Sequence, residues 1–227
     1  MDVLTEDVIA RAAAGNDPDT LALLDRHGLS AAPGETAGEF GARLTRLREA
    51  RGALLEELRR RGEIEPARGI RIAADAAVPQ NVLREAWDAV DALYDIRPDW
   101  VPGFFVTESF GFLWGGCSLS DPESGLNLFI IRKNFRKRRR WLVYDRTELL
   151  AHELCHAARQ ALDDWRFEEY FAYRTAKAPL RRWFGNCFVY KFDAWLFLLP
   201  ILLLPAVQAI RGWVWPVLPG WPFWLVA

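Results

Sequence analysis

Histidine and cysteine are scarce in this chain, with three of each among 227 residues. Cys117, Cys155 and Cys187 make an odd number without paired spacing. That argues against a disulfide framework and for a reducing compartment, with the thiols packed as small apolar side chains. Charge of one sign is also lacking, since 29 Lys and Arg face 30 Asp and Glu. No bulk field draws the molecule to nucleic acid, so no nucleic-acid partner is expected. The first residues, MDVLTEDVIARAAAG, have neither a basic lead nor an uninterrupted apolar stretch, unlike a secretion signal. The expectation is an N-terminus in the cytoplasm.

What the chain does have is apolar residues, 51% of the total, enough for one core plus appendages. Residues 1–66 are rich in Ala, Leu, Arg and Glu, and Phe40, Leu44, Leu47, Leu54, Leu55 and Leu58 recur at helical spacing. They predict a helical N-terminal extension, broken near Gly28 to Gly34, that serves as brace, lid or docking surface. Asn81 to Tyr94 predicts a further helix. Two strand candidates follow, Phe104 to Trp114 and Leu126 to Phe135, joined through the turn signal SDPESG. A helix is predicted from Arg146, where Asp145 and Glu148 have capping-box spacing.

Chemistry concentrates in TELLAHELCHAAR. His152 and His156 are one helical turn apart, so both imidazoles point to one side and can share a Zn²⁺ ion, with Glu153 between them. This pattern arises by chance in roughly one of several hundred chains so poor in histidine. Leu149, Leu150, Leu154, Ala157 and Ala158 would bury the helix that carries it. His27 stands apart as a surface or helix-end residue. A catalytic zinc needs a third protein ligand, and DDWRFEEYFAYR offers Glu168 and Glu169. If the chain reverses near Leu162 and Asp163, residues equidistant from the turn lie level. His156 then faces Glu169 and His152 faces Tyr173, which favours Glu169 over Glu168.

HELCH followed by a Glu-bearing helix resembles the gluzincin class of zinc metallopeptidases, in which two His and one Glu bind zinc. The similarity covers about residues 147 to 176. It implies an α+β, zincin-like domain with a small antiparallel sheet, an active-site helix and a Glu helix. It also implies His152, His156 and Glu169 as metal ligands and Glu153 as the carboxylate that moves protons during peptide hydrolysis. Tyr173 stands where the family has Asp or Asn, and is a candidate to orient His152 or to stabilise an oxyanion. The strand before the metal helix, Asn127 to Lys133, is expected to edge the cleft and pair with a peptide or protein substrate.

Ala194 to Ile210 carries no charge, and a second uncharged run reaches the end of the chain. Pro200, Pro205, Pro216, Pro219 and Pro222 interrupt the two runs, so an apolar hairpin that re-enters or lies in the interface is as consistent as two spans. The expected organisation is a helical extension (1–66), a zincin-like domain (67–192) and a membrane-associated segment (193–227). RKNFRKRRR, residues 132 to 140, reads as a solvated loop or a membrane-surface anchor, and the basic residues around the apolar runs place the catalytic domain on the cytoplasmic face. The expected function is a zinc-dependent endopeptidase. Its rival is a membrane-associated scaffold or assembly factor with a structural or vestigial zinc site, for which Cys117 or Cys155 would supply a fourth, soft ligand; Cys117 is also a candidate latency ligand.

Overall fold

The computed structural model describes residues 2–108, 114–142, 144–162, 165–184 and 193–213. Backbone contacts divide the chain into a unit ending at Lys177 and a second from Ala178 onward, so the boundary differs from those expected at 66 and 192.

The first unit opens with three capped helices. Thr5 caps α1 (Glu6–Ala14) and Asp17 caps α2 (Pro18–Arg26), where Pro18 takes a position whose N–H has no helical partner. A capping box between Thr36 and Glu39 starts α3 (Ala37–Arg61), rich in strong helix formers. The break between α2 and α3 turns on Gly28 at φ +70°, and a Cβ there would lie 2.6 Å from the Cβ of Ala158. The N-terminal helices thus meet the far end of the chain's chemistry-bearing helix.

A short antiparallel hairpin follows, β1 (Glu63–Ala67) and β2 (Ile70–Ala73), then α4 (Gln80–Tyr94). The sequence reading did not anticipate the hairpin, because charges and Pro66 mask the alternation of Ile64, Ile70 and Ile72.

The main sheet has the order β3 (Gly103–Val106), β5 (Asn127–Arg132), β4 (Gly116–Ser120). It is mixed, not antiparallel: β3 runs parallel to β5, and β4 antiparallel to it. The expected hairpin exists, but its first arm is Gly116–Ser120 and not Phe104 to Trp114.

Both faces of this sheet are covered, which explains why β5 reads as a continuous apolar run instead of alternating. Phe105, Phe129 and Ile131 join the core under the helices, while Phe104, Val106, Leu128 and Ile130 meet Ile64, Ile70 and Ile72 of the hairpin. Each such side chain contributes roughly 1.5–3 kcal/mol on leaving water.

A 3₁₀ turn (Lys133–Arg136) and the two-residue strands β6 (Arg140–Trp141) and β7 (Tyr144–Asp145) lead into α5 (Arg146–Arg159). The Asp145 carboxylate accepts from the N–H groups of Thr147 and Glu148, while Glu148 accepts from the N–H of Lys177. The cap is therefore one-sided, and Glu148 instead pins the end of the unit. After a 3₁₀ turn over Gln160–Leu162, α6 spans Trp165–Tyr173.

The second unit holds α7 (Pro179–Phe184) and α8 (Asp193–Trp213). Pro200 and Pro205 lie inside α8 and do not end it, a difference from the expected interruption. Leu199 and Leu202 are more than half exposed. Among the described residues no helix is long and apolar enough to cross a membrane. The second arm of the expected hairpin and Cys187 lie outside the described residues.

Candidate metal centre

The centre is built where α6 folds back along α5. Leu150 and Leu154 of α5 are fully buried and Leu149, Ala157 and Ala158 nearly so, which turns the other face of that helix toward α6. From α4, the Tyr94 hydroxyl donates to the Phe171 carbonyl at 2.8 Å and its ring meets the Phe171 ring edge-on. The Arg159 guanidinium covers Phe171 at 4.1 Å from the ring centroid. Burial raises the Tyr94 hydroxyl to about 12, so it stays a donor at neutral pH. Next to Arg159 along the chain, Gln160 accepts from buried Asn127, which in turn accepts from Ser120, tying β4, β5 and the end of α5 together.

On this scaffold the Nε2 atoms of His152 and His156 come within 3.1 Å of each other. Glu169 bridges them, with its carboxylate oxygens 3.6 Å from His152 and 3.5 Å from His156. One atom from each of the three lies within 4.8 Å of the others, a spacing that can hold a metal ion. No protein-family model, curated protein or solved structure matches this chain.

Glu168 takes a different position from its neighbour. Its carboxylate lies 3.1 Å from Nδ1 of His156, the ring nitrogen facing away from the convergence point. A proton held on Nδ1 leaves the Nε2 lone pair free toward Glu169 and His152, the arrangement by which a carboxylate orients a metal-binding imidazole. The two glutamates left open by the sequence therefore occupy two places. Tyr173 meets His152 edge-on at 4.7 Å, as the level-pair argument expected.

Glu153 is buried and points from the same helix toward the sheet. The Ser118 hydroxyl of β4 donates to its Oε2 at 2.6 Å. Burial pushes this carboxyl upward, and Glu169 adds to the effect, against the Ser118 hydrogen bond and the His156 charge. Burial likewise raises Glu169, with Glu168 adding to it and His156 opposing. Burial opposes protonation of His156, but the Glu168 hydrogen bond and the Glu153, Glu169 and Glu168 charges outweigh it and shift the ring upward. Hydrogen bonding to His156 outweighs burial to hold Glu168 below the usual carboxylate range. Three carboxylates thus surround two imidazoles in a partly buried place, an excess of negative charge that a divalent cation would reduce.

The cysteines lie elsewhere. Cys155 is buried on the back of α5, lining an apolar cavity of about 60 Å³ with Val90, Tyr94, Ile96 and Phe171. Cys117, on β4, packs against the core on the hairpin side of the sheet. Among the described residues the metal-competent group has no cysteine member.

His27 is the C-cap of α2 with Nδ1 2.7 Å from Asp99, a helix-end residue as expected. The strand expectation needs correction: Asn127 to Lys133 does not edge a cleft, because β5 is paired on both sides. Among the described strands β4 is the edge nearest Glu153, and through Ser118 it touches that carboxylate.

Ser118, Glu168 as an orienting group, and Tyr94 were missed by sequence reasoning. Ser118 sits in GGCSLS, whose half-exposed polar residues carry no strand signal. Only the Asp121–Gly125 turn beside it could have pointed there.

Proposed function

We propose that the chain is a zinc-dependent metallopeptidase whose ligands are His152, His156 and Glu169. The observation that carries this reading is the convergence of His152 and His156 of α5 with Glu169 of α6, beside Glu153, which is buried and held by Ser118. Two imidazoles and a carboxylate are the donor set of a catalytic zinc site, which keeps a position open for water or substrate. His152, His156 and Glu169 would hold the ion, which would supply Lewis acidity toward a peptide carbonyl and lower the pKa of a water.

The remaining work falls to the chain's own residues. Glu153 takes a proton from the attacking water and passes it to the departing nitrogen, so that one peptide bond and one water become a carboxylate and an amine. Ser118 holds that carboxylate in place, Glu168 fixes the tautomer of His156, and Tyr173 packs the ring of His152. The edge of β4, outermost among the described strands, accepts the backbone of a peptide substrate as an added strand alongside Glu153. The second unit, with the exposed apolar side of α8, attaches the protein to a membrane without a requirement to span it.

Metal analysis tests this reading. The purified protein is expected to carry about one zinc per chain, and His156→Ala to lose it, as a three-ligand site requires. A metal-free wild type, or a variant that keeps full zinc, removes the reading. Zinc held without peptidase activity would leave a structural site on a membrane-associated scaffold.

A further inference from the structure

The basic run of residues 132–140 is not a loose loop. Phe135 is fully buried at its centre, Trp141 meets that ring edge-on and stacks on Tyr144, and the Arg132 guanidinium covers Trp141 at 4.1 Å. Arg146 donates to the Phe135 carbonyl at 3.1 Å, and the Arg146 N–H to the Arg139 carbonyl at 2.8 Å. These bonds make a fixed platform that joins the end of β5 to the start of α5.

Outward from this platform point six cations, Lys133, Arg136, Lys137, Arg138, Arg139 and Arg140, all exposed. Three carboxylates pair with some of them: Asp75 with Arg136, Glu85 with Arg139, and Asp145 with Arg139 and Arg140. Six against three leaves a surplus of three positive charges, in a protein whose overall charge is −1. Lys133, Asn134, Arg136, Lys137 and Arg138 also line a concavity of about 470 Å³.

At the tip of the β6–β7 hairpin, directly after Trp141, stands Leu142. It is 52% exposed and held at φ +50°, a left-handed conformation that branched apolar residues avoid. An aliphatic side chain is therefore presented to solvent, at a conformational cost, on a cationic surface.

From this combination we infer that residues 133–142 dock on an anionic lipid surface. The surplus cations meet the headgroup phosphates and carboxylates, and Leu142 enters the acyl boundary. A nucleic-acid strand fits less well. Stacking proteins offer bases a free aromatic face, whereas Trp141 lies under Arg132 and stacks on Tyr144. A phosphate backbone also gives Leu142 nothing to bury against. The inference does not depend on the metal centre, since none of these residues belongs to it.

The test uses the purified full chain and phosphatidylcholine vesicles with and without phosphatidylserine, read by co-sedimentation. The apolar side of α8 would add binding to both kinds of vesicle, and the basic residues flanking it would add to the anionic preference, so the platform's share is read from the variants below. Wild type is expected to prefer the serine-containing vesicles, and added salt to weaken that preference. Lys133→Ala/Lys137→Ala/Arg138→Ala is expected to lose roughly a hundredfold in partition onto them and to bind plain vesicles as wild type does. Leu142→Asn, which keeps a residue tolerant of positive φ, is expected to weaken binding to the anionic vesicles. Unchanged thermal unfolding and zinc content in both variants separate these effects from misfolding and from the fate of the metal reading. No preference for phosphatidylserine, or equal binding by the triple variant, overturns the inference. So does tighter binding of a single- or double-stranded oligonucleotide through the same three residues.

Discussion

Glu153 lies between the two histidines in sequence, and the Ser118 hydroxyl keeps its carboxylate aimed. Replacing it by Gln preserves shape and hydrogen bonding while removing the base. Glu153→Gln is expected to keep its zinc and its fold and to lose peptidase activity by about a thousandfold or more, measured side by side on a peptide library. Equal cleavage by both proteins would place the activity elsewhere. Tyr173→Phe divides two roles of one residue. If the ring alone matters, zinc affinity and turnover both survive; loss of turnover with zinc retained assigns the hydroxyl to the oxyanion.

Asp145 connects residue chemistry to stability. Burial raises its carboxyl, but the Arg139 hydrogen bond and charge, with the N–H groups of Thr147 and Glu148, outweigh burial and hold it below the ordinary value of 3.8. A depressed folded-state pKa means stability that is present above 3.8 and is lost as pH falls through the lower, folded-state value. Asp145→Ala is expected to cost about 1 kcal/mol at neutral pH, with the gap to wild type closing at low pH in denaturant titrations. A gap that stays constant down to the acid transition would contradict the assignment.

At the scale of elements, α5 was legible because the two histidines, the flanking leucines and the Asp145 cap all agreed on one helix with one buried face. The position of α6 was legible from a counting argument, which put Glu169 and Tyr173 level with His156 and His152. The sheet was less so. β4 was invisible because its short, largely half-exposed run of Gly116, Cys117, Ser118, Leu119 and Ser120 carries no β-branched or aromatic signal, and β5 was mistaken for an edge because pairing partners on both sides cannot be read from an apolar run. What holds α6 in register was also hidden, since it depends on Tyr94, some eighty residues away in sequence. Tyr94→Phe removes the bond to the Phe171 carbonyl and keeps the ring contact. It is expected to weaken zinc binding several-fold through misplacement of Glu169, while Glu168→Gln is expected to do so by roughly 10–100-fold through His156. Chelator competition measures both. If neither variant changes zinc affinity, α6 is positioned by the core alone.

For the whole molecule, both apolar cores are made from residues of the first unit, between Val3 and Ala172. A chain ending at Lys177 is therefore expected to fold, to bind zinc, and to leave the membrane fraction for the soluble one, with only the preference for anionic vesicles remaining. A truncated protein that aggregates or loses cooperative unfolding would show that residues 178–227 complete the fold. The division at Lys177 was not legible in the sequence, where the change of composition comes later, at Asp193, and where the helices of residues 1–66 looked separable from the rest.

Those helices share one core with α5, and that has a consequence during synthesis. Val8, Leu24, Phe40 and Leu44 emerge from the ribosome early, but their core partners Leu150 and Leu154 follow more than a hundred residues later. At ordinary elongation rates of about 5–20 residues per second, the apolar side of the N-terminal helices waits roughly five to twenty seconds for its cover. A nascent chain with so long an interval is a natural client for a chaperone, and codon choice between positions 66 and 146 would tune the yield of folded protein without changing a single residue.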